Sequence, residues 1–192
     1  MKCCKFWMII GMIFLLNGCT PFIHETNSIY QLAKHKVAIK QWQLSGRLAI
    51  KDERRSATLS IEWQHAEQQQ KIRLSGPLGQ GATEIRFDNQ NIFIDRGNGQ
   101  LLELDSIKNT LQQQLGFDIP IQALSYWVTG TFFPDTELIE CTDGFEQFGW
   151  KIHYLSMQNV NNIELPYKLY IEKFPIKLKL IIDEWNINES GK

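Results

Sequence analysis

Cysteine is scarce in this chain, and so are the side-chain arrangements that carry chemistry. Four cysteines stand among 192 residues, and two of them, Cys3 and Cys4, lie in the first few positions. His24, His35, His65 and His153 are far apart, with no cysteine or carboxylate at ligand spacing, so no metal site is expected. There is no Gly-x-Ser-x-Gly elbow and no His-Glu-x-x-His helix, and the carboxylates fall mostly on the polar faces of strands. An enzyme is therefore the weakest reading. The formal net charge is −1, which supplies neither a basic footprint for nucleic acid nor an acidic solvating tail. Internal repeats and low-complexity linkers are missing too. No apolar run reaches the roughly 20 residues that a membrane-spanning helix needs.

The longest apolar run, Phe6 to Leu16, follows Lys2 and Lys5 and ends at Leu16-Asn17-Gly18-Cys19. A short run behind a basic start is an export signal rather than a structural element. A leucine three places before a cysteine, with glycine immediately before it, resembles the lipobox of bacterial lipoproteins. The resemblance implies that Cys19 begins the mature protein and carries acyl chains; the alternative is an ordinary secretory signal with a chance cysteine. The expected organisation is a signal over residues 1–18, a lipidated N-terminus and tether over 19–27, and one domain over 28–192. Cys141 then stands alone and reads as a small core or turn residue. An exported domain without an internal disulfide must rest its stability on its core.

Periodicity divides that domain. Ile29, Leu32, Ala33 and Val37 fall on one helical stripe behind a cap at Asn27 or Ser28. From Gln41 the period becomes two. Leu44, Leu48 and Ile50 share one face, Asp52 to Arg55 forms a charged turn, and Ala57, Leu59, Ile61 and Trp63 share a face of the return strand. A polar turn is expected over His65 to Gln70, then strands carrying Ile72 and Leu74, Ile85 and Phe87, Ile92 to Ile94, and Leu102 with Leu104. Two amphipathic helices come next, one with Ile107, Leu111 and Leu115 before Gly116, the other starting at Pro120 with Ile121, Leu124, Trp127 and Val128 before Gly130. Beyond Pro134 strands resume: a hairpin around Asp143-Gly144, then Trp150 to Tyr154, Tyr167 to Ile171, and Ile176 to Ile182, with a loose tail after Trp185. Short strands at near-regular spacing suggest a sandwich or barrel, with the helices laid on its open mouth or concave face.

Two places could bind something. Gly76-Pro77-Leu78-Gly79-Gln80-Gly81 is glycine-rich, but no lysine and serine follow it and a strand comes next, so it cannot cradle phosphate. Its Leu78 stands at the tip of a tight turn, where asparagine, aspartate or glycine is usual, and holds an apolar side chain toward solvent. That is a candidate membrane or acyl-chain contact, against the simpler reading of a tolerated surface leucine. The second place is the concavity. Leu44, Leu48, Leu59, Ile61, Trp63, Leu74, Ile85, Phe87, Leu124, Trp127, Trp150, Ile152, Leu178 and Leu180 are its candidate lining, either around a ligand-sized cavity or in a filled core.

Taken in order, these residues resemble the LolB family. The matching features are Trp42-x-Leu44-x-Gly46-Arg47, Ile61-x-Trp63, the Gly76 to Gly81 loop, and Leu115-Gly116-x-x-Ile119-Pro120-Ile121-x-x-Leu124-x-Tyr126-Trp127-Val128-x-Gly130. Phe145-x-Gln147-x-Gly149-Trp150-x-Ile152-x-Tyr154, Leu165-Pro166 and the closing strand to Trp185 complete the series, while Thr131 to Glu140 is less typical. The resemblance implies an incompletely closed antiparallel β-barrel, mainly β with helices, whose hydrophobic cavity is covered by short inserted helices. It implies an outer-membrane, lipid-anchored receptor on the periplasmic face, which takes lipoproteins from a soluble carrier of the LolA type and inserts them into the membrane. Gly76, Pro77, Leu78 and Gly79 would form the insertion loop. No cofactor beyond the acyl chains on Cys19 is implied, no nucleic acid, and a monomer is expected. The alternative is an anchored binding protein for a small apolar ligand.

Overall fold

The computed structural model describes residues 39–66, 69–88, 92–97 and 119–187. Cys19, the helix expected before Val37, the strand with Leu102 and Leu104, and the helix with Ile107, Leu111 and Leu115 lie outside them.

Two long strands begin the sheet, β1 (Gln41–Lys51) and β2 (Ser56–Ala66). They pair antiparallel without a slip, from Lys51 opposite Ser56 to Gln41 opposite Ala66. Their turn is organised by Asp52, whose carboxylate accepts the backbone N–H groups of Arg54 at 2.7 Å and Arg55 at 2.6 Å. Those two bonds hold its carboxyl below the ordinary carboxylate range.

The meander continues outward through β3 (Gln69–Ser75), β4 (Thr83–Asp88) and β5 (Ile92–Asp95). On the other side of β1 lie β10 (Ile176–Ile187), β9 (Ile163–Lys173), β8 (Trp150–Val160), β7 (Gly144–Gln147) and β6 (Ile139–Cys141). The order is β5-β4-β3-β2-β1-β10-β9-β8-β7-β6, antiparallel throughout. As described, the sheet does not close on itself. One helix among the described residues, α1 (Ile121–Val128), stands between β5 and β6 in the chain. This is the open antiparallel barrel with helix that the resemblance implies.

Cross-strand rows make one face apolar. Ile152, Ile171, Leu178 and Ile50 stand opposite one another in turn, as do Tyr154, Leu169, Leu180, Leu48 and Leu59. A third row runs Trp185, Leu44, Trp63, Ile72, Ile85 and Ile94. Each residue of such a row presses on the next, which is how a sheet with one dry face gains stability.

Three expectations need correction. The polar turn over His65 to Gln70 is mostly strand, with His65 opposite Gln70 and Ala66 opposite Gln69. Two of its side chains pack into the ladder: the His65 ring stacks on Trp42 at 4.9 Å, and Gln70 Oε1 accepts the Trp63 indole N–H at 3.1 Å. Pro120 is the N-cap of α1 rather than its first helical residue; its ψ is 93° and its carbonyl accepts the Leu124 N–H at 2.9 Å. Finally, the closing strand runs through Trp185 to Ile187.

A bulge explains that last difference. Ser45 faces Glu184 but Gly46 faces Ile182, so β10 carries one extra residue. Asp183 and Glu184 both point to solvent, and the parity of the strand shifts so that Trp185 and Ile187 return to the core face. Arg47 closes the bulge from outside through Asp183, at 2.8 and 3.1 Å. Gly46 is required there, because a Cβ would collide with the Ile181 carbonyl oxygen and lie 3.0 Å from Ile182 Cα. Gly46→Ala should therefore cost about 2–3 kcal/mol or more, since backbone cannot yield as a side chain can. Urea denaturation checks this; an unchanged midpoint would mean that the bulge relaxes freely.

Candidate functional site

Helix α1 is held against the sheet by polar groups buried with it. Gln147, 1% exposed at the end of β7, accepts the Trp127 indole N–H and the Phe133 backbone N–H through Oε1, both at 2.9 Å. Its Nε2 donates to the Phe133 carbonyl at 2.9 Å. The Tyr154 hydroxyl donates to the Trp127 carbonyl at 2.8 Å. One glutamine thus joins the helix, the loop after it and the sheet. The same loop is tied at Thr131, whose N–H and hydroxyl both donate to the Tyr126 carbonyl at 3.0 Å. Gly130, at φ 81°, makes the left-handed turn that the helix end needs.

The candidate lining residues share one face, and they divide by exposure. Leu44, Ile61, Trp63, Ile85, Phe87, Trp127, Trp150, Ile152, Leu178 and Leu180 are buried in a single core. Leu48, Leu59, Leu74 and Leu124 are only half-buried, as is Ile50. Three tryptophans close one region: Trp42 meets Trp63 at 5.1 Å and Trp185 at 5.5 Å, both edge to face. The Trp185 indole N–H donates to the Pro166 carbonyl at 3.0 Å. On α1 the deepest residues are Ala123, Trp127 and Val128, while Ile121 and Leu124 are half-covered, because Gln147 and the following loop bury the C-terminal turn.

Strand direction sorts the half-buried leucines. Leu48 and Ile50 end β1, Leu59 lies in the first half of β2, and Leu74 ends β3. They gather at the end of the sheet where the chain turns from β1 to β2 and from β3 to β4. The second of those turns carries Leu78, 98% exposed. Its backbone is left-handed, at φ 60° and ψ 23°, in a turn closed by the Gly79 N–H on the Gly76 carbonyl at 3.0 Å and by the Gly76 N–H on the Gln80 carbonyl at 2.8 Å. An L-residue with a Cβ is strained there by about 1 kcal/mol. Sequence reasoning did not single out Gln147 or Tyr154 as clamps, nor Phe174, which is 90% exposed between β9 and β10. The signal for Phe174 is an aromatic beside proline in a two-residue turn.

A family model described as outer membrane lipoprotein LolB matches residues 40–185. The outer-membrane lipoprotein LolB of Nitrosococcus oceani is 29% identical over 202 residues, covering 97% of this chain and all of that protein. The LolB of Pseudomonas fluorescens is 28% identical and covers 98% of each. Among solved structures, a LolA-superfamily protein from Nitrosomonas europaea superposes with a TM-score of 0.54 at 9% identity, over 85% of this chain and 93% of that one. A DUF1329-family protein from Desulfovibrio piger gives 0.53 at 7%, with the same coverage. At such identity these last two speak for the fold.

The clamp predicts a graded loss. Gln147→Leu leaves the Trp127 and Phe133 polar groups unpartnered in a dry site and should cost ~2–4 kcal/mol, whereas Tyr154→Phe should cost about 1–1.5 kcal/mol. Burial pushes the Tyr154 phenol above its ordinary value, so above about pH 10 the unfolded chain releases a proton that the folded chain keeps. Stability must fall there as pH rises, and Tyr154→Phe should lose that component. Denaturation midpoints at neutral and alkaline pH test both statements.

Proposed function

The chain belongs to the LolB family of outer membrane lipoproteins, and from that premise we propose that it is an outer-membrane receptor for other lipoproteins. It takes them from a soluble periplasmic carrier of the LolA type, holds their acyl chains against its apolar face, and passes them into the bilayer. The observation that carries this reading is the gathering of half-buried Leu48, Ile50, Leu59 and Leu74 at the end of the sheet that bears Leu78.

Physical chemistry explains why such an arrangement would serve. Each methylene exposed to water costs about 0.8 kcal/mol, so a multiply acylated cargo cannot cross the aqueous gap by itself. A receptor must accept the chains from another apolar surface and bind them less tightly than the bilayer does. Transfer then runs downhill without a nucleotide or any other cofactor. Cys19 supplies the anchor on the periplasmic face, the protein acts as a monomer, and Leu78 leads chains from the apolar face into the lipid.

Two measurements test this. Native mass spectrometry of the chain with Cys19→Ala should show acylated lipoprotein bound after mixing with a loaded carrier. Adducts of free apolar molecules with refusal of lipoprotein would favour a small-ligand receptor, and a chain that takes up neither would sink the proposal.

Leu78 separates function from stability. Leu78→Glu should leave the fold and cargo acceptance intact while reducing deposition into liposomes. Leu78→Gly should also deposit poorly, yet be unchanged or more stable by up to ~1 kcal/mol, because glycine adopts φ > 0 without penalty. Undiminished deposition by both variants would make the loop a turn and nothing more.

A further inference from the structure

Leu78 and Phe174 are the two most exposed large apolar side chains among the described residues, and both are at turn tips. Register places the tips together. Lys51 at the end of β1 stands opposite Ser56 of β2 and Lys177 of β10, and Ile176 stands opposite Lys173 of β9. The β1–β2, β3–β4, β7–β8 and β9–β10 turns therefore all leave the same end of the sheet. Along it the Leu78 and Phe174 turns are four strand spacings apart, ~20 Å. Phe148, 43% exposed, lies in the β7–β8 turn beyond.

The ground around Phe174 carries a small excess of positive charge, four lysines against three carboxylates. Lys51 is directly opposite Lys177, whose charge Glu172 offsets from β9, while no ion pair is found for Lys51 among the described residues. Nearby carboxylates are largely engaged. Glu172 holds Lys177 at 2.8 Å and faces His153 at 3.6 Å. Asp52 accepts its own turn amides and pairs with Arg55 at 3.7 Å. Lys173 reaches back to the Phe148 carbonyl at 3.1 Å. The hollow between the β1–β2 and β9–β10 turns, about 560 Å3, is bordered by the four lysines, Lys51, Lys151, Lys173 and Lys177, and the three carboxylates, Asp52, Glu53 and Glu172, with Phe174 at its edge.

We propose that this end of the sheet rests on an anionic phospholipid surface, with Phe174 at headgroup depth and Lys51 and Lys151 against the lipid phosphates, as a second contact beside Leu78. The proposal deepens the reading of the protein as one that works on a bilayer and depends on it. Aromatic rings favour the headgroup zone, and cations near an anionic leaflet are attracted to it. An acidic protein would satisfy the lysines but would offer no apolar medium to two tips separated by four strands. Two apolar tips at an end where Lys51 and Lys151 make no ion pair among the described residues fit a planar surface that is apolar beneath and anionic on top.

The test uses the full lipidated chain in vesicles, with Cys141→Ser and a nitroxide on Ser56→Cys at this end or on Asn161→Cys in the β8–β9 turn at the other. In vesicles containing phosphatidylglycerol, the label at position 56 should be several-fold less accessible to a water-soluble relaxant than the label at 161. Phe174→Ser should markedly reduce the difference, and Phe174→Ser with Leu78→Ser should abolish it. Lys51→Gln and Lys151→Gln should each weaken the contact on the order of fivefold, and replacing phosphatidylglycerol by phosphatidylcholine, which removes both attractions, on the order of 25-fold. Equal accessibility at the two positions overturns the proposal, as does shielding that is indifferent to Phe174 and the lysines or that arises only when a protein carrier is added. Lipoprotein deposition is measured on the same samples. Shielding without deposition would count against the proposed function alone, and deposition without shielding against this contact alone.

Discussion

The Trp127–Gln147 hydrogen bond is the interaction on which the arrangement of this domain depends. A sheet with one apolar face needs a cover, and a helix laid on that face brings its own polar groups into a dry region where each must find a partner. Gln147 satisfies the indole and both backbone groups of Phe133, while Tyr154 adds a second bond at the Trp127 carbonyl. Together they fix where the helix sits and which of its turns is deepest. Leu124 and Ile121 are left half-covered as a result, and the cover is tight on one side and loose on the other.

Much of this was legible in the sequence. Period-two alternation located β1, β2, β8 and β9, and the Gly130 stop located the end of α1, because one side chain in two, or one glycine, decides each of them. The motifs Tyr126-Trp127-Val128 and Phe145-x-Gln147 could be read singly but not as one unit, since the bond joining them spans 20 residues and leaves no periodic trace. His65 and Gln70 looked like turn residues because polarity was visible, whereas the stacking on Trp42 and the bond to Trp63 that make them strand residues were not. The bulge at Asp183 was hidden for a similar reason. Two adjacent polar residues look like the end of a strand, and only pairing with Gly46 shows that the strand goes on. Leu78 was legible as an oddity from the residue types around it, and the structure adds its left-handed backbone and its place beside the half-buried leucines.

The domain therefore has two unlike ends. One is closed by the Trp42, Trp63 and Trp185 cluster, rings locked edge to face with little freedom to part. The other is built from leucines of partial exposure and from turns that put apolar side chains into water. The second end also holds the Gln147 clamp, beside the β7–β8 turn, while the backbone conformation unsuited to leucine is confined to the β3–β4 turn.

Strand direction also sets a problem of reach. β1 begins at the end opposite Leu78 and runs eleven residues, ~37 Å, toward it. About 20 residues separate Cys19 from Gln41, and an extended leash of that length spans at most ~70 Å. For an acyl anchor at Cys19, that upper bound exceeds the length of β1, so chain length by itself does not keep Leu78 and Phe174 from the leaflet that holds the anchor. With such an anchor, chain length alone would permit the leucine end to face either the periplasm or the lipid. A leash shortened to less than the height of the domain would permit only the first posture.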